Sequence, residues 1–136
     1  MSRSGMNTLY VVDTHILIWY FTGNKRLQKK LKEKIDAVRN LGGRLLVPTI
    51  VLAEALNIAE KGRVDFDFDA MYRLIGQEPE FEIVGFGPEI FEEALRLKDV
   101  KEIHDRIITA TAKFYRVGIL TKDKIINESG ALEPLC

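Results

Sequence analysis

The sequence predicts a three-layer α/β/α domain on a central parallel sheet of four or five strands. Three observations predict it. Short β-rich apolar runs alternate along the chain with longer stretches whose apolar residues recur at helical spacing. The runs are predominantly apolar, as expected of strands covered on both faces. The helical stretches between runs are long enough for right-handed crossovers between parallel strands.

The elements follow in order. Leu9-Tyr10-Val11-Val12 is a buried strand ending at Asp13, and the apolar run 16–21 behind it is a helix. Residues 25–40 place Leu27, Leu31, Ile35 and Val38 on one helical face and stop at Gly42-Gly43. A second strand, 44–47, closes at Pro48; Thr49 then opens an apolar helix to about residue 61, ended by Gly62. A short helix at 69–77 precedes Pro79 and a third strand at 81–84. Gly85-Phe86-Gly87-Pro88 turns into a helix at 89–98, and another runs over 104–116. A fourth strand at 118–121 leads to a terminal helix at 123–128. Residues 132–135, interrupted by Pro134, are a fifth, edge strand.

At 136 residues the whole chain, 1–136, reads as one domain. A chain of that size buries about two-thirds of its unfolded surface. Met6 is an alternative start, so residues 1–5 are expected to be disordered or non-native. No apolar run reaches the roughly 18–20 residues of a membrane span, and the start lacks the apolar core of a signal peptide. The single cysteine, Cys136, excludes an internal disulfide and a cysteine-rich metal site. Together these point to the cytoplasm. Lys plus Arg equals Asp plus Glu at 20 each. Net charge therefore offers nucleic acid no general attraction, and phosphate would have to be met by metals or a local patch.

Chemistry concentrates on four acids. Asp13 lies at the end of the first strand and Asp123 two residues past Thr121, where ligands gather in a parallel sheet. Asp105 opens a helix. Glu54 and Asn57 are the polar residues of an otherwise apolar helix at 50–59. Each aspartate taken singly is explained as an N-cap. Glu54 is not so explained: it stands five residues past Thr49, outside a capping-box offset, with no Lys or Arg within four positions. Together, three aspartates on one sheet edge and a buried glutamate form a metal-site pattern, because clustered carboxylates repel one another without a cation. Hard oxygen donors select Mg²⁺ or Mn²⁺.

The strings Val11-Val12-Asp13-Thr14-His15, Val51-Leu52-Ala53-Glu54-Ala55-Leu56-Asn57, His104-Asp105-Arg106-Ile107-Ile108-Thr109 and Leu120-Thr121-Lys122-Asp123 resemble, in order and spacing, the four acidic motifs of PIN-domain nucleases. The likeness is greatest to VapC-type toxins of toxin–antitoxin pairs and spans essentially the whole chain. The resemblance implies a PIN-like fold and carries over Asp13, Glu54, Asp105 and Asp123 as catalytic, metal-binding carboxylates. It implies an endoribonuclease that hydrolyses RNA phosphodiester bonds with water activated by one or two Mg²⁺ (or Mn²⁺) ions, leaving a 5′-phosphate and a 3′-hydroxyl. Thr14, Asn57, Thr109 and Thr121 are expected to support the ligands, and Arg106, Lys122 and Lys124 to hold phosphates. Glu102, three residues before Asp105, is a further candidate for the cluster. The family also implies an RNA substrate, an antitoxin partner and a homodimer, with contacts near Trp19 or Glu54. The alternatives are a housekeeping RNA-processing nuclease of the same family and a catalytically silent RNA-binding or adaptor module.

Other signals fail on their own chemistry. Asp65-Phe66-Asp67-Phe68-Asp69 imitates a calcium loop, but Ala70 stands where the tight turn needs glycine and Gly76 where a bidentate glutamate belongs. Asp67 or Asp69 is instead expected to cap a helix. Serine occurs only at 2, 4 and 129, which leaves little for a serine hydrolase. A haloacid-dehalogenase-like phosphatase needs an aspartate where His15 stands. A phosphorylation receiver needs an acidic pair by the first strand and an acceptor on a middle strand. The basic residues between Lys25 and Lys34 read as a solvated helix face.

Overall fold

The computed structural model describes residues 9–122 and 124–133. Four parallel strands form the centre in the order β3 (Phe81–Val84), β2 (Arg44–Pro48), β1 (Leu9–Val12), β4 (Gly118–Thr121). Two antiparallel strands, β5 (Lys124–Ile126) and β6 (Leu132–Glu133), extend the β4 edge. Between them run α1 (Thr14–Thr22), α2 (Lys29–Asn40), α3 (Thr49–Glu60), α4 (Phe68–Gln77), α5 (Pro88–Leu95) and α6 (Ile103–Tyr115). The α/β class and the four expected parallel strands are as the sequence predicts.

Burial along β1 shows why the sheet is central. Val11 and Val12 point to opposite faces, and both are at most 1% exposed. Leu45, Leu46 and Val47 of β2 repeat this, so helices cover both faces and one hydrophobic cluster joins them to α1, α2 and α3. At the β3 edge, the Arg39 guanidinium of α2 bridges Glu78 and Glu80 and donates to the Tyr20 hydroxyl. Gly118 is required where β1, β4 and β5 converge. A Cβ there would meet the Ile126 carbonyl oxygen at 2.5 Å and the Tyr10 ring at 2.8 Å.

Two expectations need correction. The helix expected at 123–128 is not formed over its described residues; β5 takes Lys124–Ile126 and the chain then turns. Ile125 and Ile126 are β-branched, and pairing them with Leu120 and Ile119 satisfies the free side of β4, which outweighs the weak helical pattern. The helix carrying Glu54 is only half covered, since Ala53, Leu56 and Asn57 are exposed. Trp19 itself is 4% exposed and belongs to the core. The expected disorder of residues 1–5 lies outside the described residues. No helix among the described residues is long and apolar enough to cross a membrane.

The topology itself selects a site. From β1 the chain crosses to β2 and β3 on one side, then returns through α5 and α6 to place β4 on the other. The reversal opens a crevice beyond the carboxyl ends of β1 and β4, where parallel sheets hold ligands.

Candidate metal centre

Asp13 follows β1 directly and is the N-cap of α1, with extended backbone (φ −77°, ψ 161°). One carboxylate oxygen accepts the Thr14 backbone N–H at 2.6 Å, and the other accepts the Thr121 hydroxyl at 2.6 Å. A single side chain thus ties the end of β1, the start of α1 and the end of β4, with its orientation set by two donors. Capping and a ligand role are compatible, because each oxygen keeps a further lone pair.

Thr14 is fully buried, and its hydroxyl donates to Glu54 Oε1 at 2.6 Å. That bond holds the carboxylate of α3 against the start of α1. Asp105 lies in the first turn of α6 but does not cap it. The cap is Glu102, whose carboxylate accepts the Asp105 backbone N–H at 2.8 Å and faces His104 Nδ1 at 3.2 Å. Glu102 is therefore engaged by its own helix, and the Asp105 carboxylate is released from that duty. Burial first, then the charges of Asp13, Glu102 and Glu54, hold the Asp105 carboxyl above its ordinary range, with His104 opposing. Among the described residues none of Asp13, Glu54 and Asp105 forms an ion pair with Lys or Arg.

Three like charges thus converge without a basic partner among the described residues, and their donors are hard oxygens. This suits Mg²⁺ or Mn²⁺ in chemistry. Among the described residues no three His, Cys, Asp or Glu side chains close into a cage. Magnesium does not demand one, because it keeps several waters and takes one or two carboxylates beside substrate phosphate. The expected fourth carboxylate, Asp123, lies outside the described residues.

The acids stand between two clefts. The smaller, of about 170 Å³, is lined by Asp13, Asp105, Thr109, Thr121 and Lys124 among others. The larger, of about 430 Å³, lies on the Glu54 side and includes His15, Asn57, Arg63 and His104. Of the expected supporting residues, Thr14 and Thr121 bond directly to the carboxylates. Thr109 and Asn57 line the clefts without a side-chain hydrogen bond among the described residues. Lys124 lines the smaller cleft. Lys122 places its ammonium 5.9 Å from the Trp19 ring centroid. Arg106 departs from expectation: its guanidinium donates to the Ala94 carbonyl at 2.7 Å, satisfying the carboxyl end of α5 instead of reaching toward phosphate. Arg63, in the turn after α3, was not singled out in the sequence, where a lone arginine between a glycine and a valine carries no signal.

The family model for the PIN domain matches residues 10–131 of the chain. No curated protein matches the sequence. Among solved structures, a chain of a toxin–antitoxin complex from Klebsiella pneumoniae has a similar fold. Its TM-score is 0.58 and its identity 23%, over 81% of this chain and 82% of that one. At that identity the likeness is one of fold.

Proposed function

This chain belongs to the PIN-domain family, and on that premise we propose that it is a Mg²⁺- or Mn²⁺-dependent endoribonuclease acting as the toxin of a toxin–antitoxin pair. The observation that carries the reading is the convergence of Asp13, Glu54 and Asp105 beyond β1 and β4, oriented by Thr14 and Thr121 and lacking a Lys or Arg partner among the described residues. One or two divalent ions held there supply Lewis acidity at the phosphodiester and an activated water. Asp13 and Glu54 are fixed by their hydroxyl donors, so they orient what they bind at little conformational cost. Asp105 and Asp123 complete the carboxylate set in this reading, and Lys124 steadies a phosphate in the smaller cleft. The toxin assignment is supported by the four motifs and by a fold shared with a chain of a toxin–antitoxin complex. It brings an antitoxin as partner, restraining the site by pairing an Arg or Lys with the carboxylates. A cytoplasmic homodimer completes the proposal.

The test is RNA cleavage by purified protein with Mn²⁺ or Mg²⁺. Activity is expected to disappear in excess chelator and in Asp13→Ala, and expression of the wild type alone is expected to slow growth. Cleavage undiminished in chelator contradicts the metal reading. Metal-dependent cleavage without toxicity supports a housekeeping nuclease, and little metal binding together with no cleavage a silent module.

A further inference from the structure

The carboxylate centre uses only one edge of the larger cleft, and the rest of that cleft has no role in the reading above. Its volume of about 430 Å³ falls within the range of roughly 300–1,000 Å³ typical of small-molecule sites, whereas the cleft at Asp13 is smaller. Ile50, Ile58 and Val64 give it an apolar wall, and His15 and His104 add two imidazoles. Aliphatic and imidazole surfaces together suit the flat face of a nucleobase. Of its polar groups, His104 faces Glu102 and Glu54 accepts from Thr14, whereas Asn57 and Arg63 have no side-chain partner among the described residues. The Asn57 amide is exposed and has no hydrogen-bond partner among the described residues, so both its donor and its acceptor are free to meet a base edge. Arg63 is anchored through its backbone N–H, which donates to the Ile58 carbonyl at 3.2 Å. Arg63 lines the same cleft as Glu54, yet its guanidinium forms no ion pair among the described residues. An arginine serving only to neutralise the acids would pair with one of them.

We propose that this cleft is a subsite for one unpaired nucleoside of the RNA strand next to the scissile phosphate, with Asn57 reading the base edge and Arg63 holding a backbone phosphate. The inference rests on the nuclease reading for its choice of ligand. It goes beyond that reading in assigning sequence preference to named residues and in requiring an unstacked, single-stranded base. Phosphate contacts position a strand while base contacts specify it, and Arg63 and Asn57 divide those tasks.

The chain contains a reporter for the test. Trp19 is its only tryptophan, and its ring centroid lies 5.7 Å from that of His15 on the cleft wall. A single-stranded oligoribonucleotide of mixed sequence is titrated into the full chain with Ca²⁺ in place of Mg²⁺, and Trp19 emission is followed. A saturable change is expected for the wild type, and the same strand annealed to its complement should give none. Asn57→Ala and Arg63→Gln, both at exposed positions, should each weaken the titration roughly tenfold. In parallel, cut ends on a long RNA are mapped with Mn²⁺. The wild type should favour particular bases at one position beside the cut, and Asn57→Ala should reduce that bias about tenfold. If RNA is cut but titration and bias are unchanged in both variants, the subsite is overturned while the nuclease reading stands. If nothing is cut but the titration is lost in the variants, the subsite stands and the nuclease reading falls. A silent Trp19 in the wild type also overturns the subsite.

Discussion

Thr14→Val isolates the single bond that brings Glu54 to the site. Valine keeps the shape of a fully buried side chain but deletes the hydroxyl that donates to Glu54 Oε1 at 2.6 Å. A hydrogen bond to a charged group contributes about 1.5–3 kcal/mol. Glu54 is only half-buried, and water can take up part of the lost bonding, so the expected cost is about 1–2 kcal/mol. For a chain of 136 residues that lowers the melting temperature by roughly 3–8 °C. The functional effect should be larger in proportion, because partners that orient metal ligands typically change affinity about 10–100-fold. Thermal melting in chelator and Mn²⁺ binding by calorimetry read the two effects separately. Thr14→Ser supplies the control: it restores the donor while losing a methyl, so it should melt low yet bind Mn²⁺ close to wild type. A Thr14→Val protein with wild-type Mn²⁺ affinity would refute the claim that this hydroxyl positions a ligand.

Three further outcomes follow from other contacts. Asp105→Asn should keep the fold and abolish cleavage. In chelator at neutral pH it should raise the melting temperature by about 1–4 °C, the surface-charge scale appropriate to an exposed group. The sign follows from its raised carboxyl pKa: the folded state holds that proton more tightly, so ionisation costs stability as pH rises, and the gain should vanish in acid when both states are protonated. Gly118→Ala should destabilise by more than about 3 kcal/mol or prevent folding, because both obstructing groups belong to the sheet core; melting close to wild type would contradict the close approach. Arg39→Met should cost about 1–2 kcal/mol by unpairing Glu78 and Glu80 and removing one of the two hydrogen bonds of the Tyr20 hydroxyl at the β3 edge, measurable by denaturant unfolding and without effect on Mn²⁺ binding.

The parallel half of the fold was legible because its strands are short, mainly apolar runs marked off by Asp13, Pro48 and Gly118, and its helices carry strong periodicity. The antiparallel edge was not. Three residues, Lys124 to Ile126, are too few to show a period, and only pairing with β4 settles their state. Among the acids, Asp13 and Glu54 could be singled out from position and helix pattern alone. The role of Asp105 turned on a neighbour: Glu102 is not among the favoured capping residues, so its occupation of the cap could not be read from composition. Arg106 misled because adjacency in sequence on a helix says nothing of direction, and its side chain runs to α5. The larger cleft was invisible for a different reason. His15, Asn57, Arg63 and His104 come from four segments, and no local pattern joins them.

The central claim is that these carboxylates exist to hold a divalent cation, and direct Mn²⁺ titration by calorimetry tests it without any assumption about substrate. The account predicts saturable binding to the wild-type chain, weakening as pH falls because protons compete for the ligands. It also predicts that Asp13→Asn, Glu54→Gln and Asp105→Asn each reduce that binding strongly while the fold is retained. Binding of equal strength in the wild type and all three variants, or none in a folded wild-type protein, would contradict it.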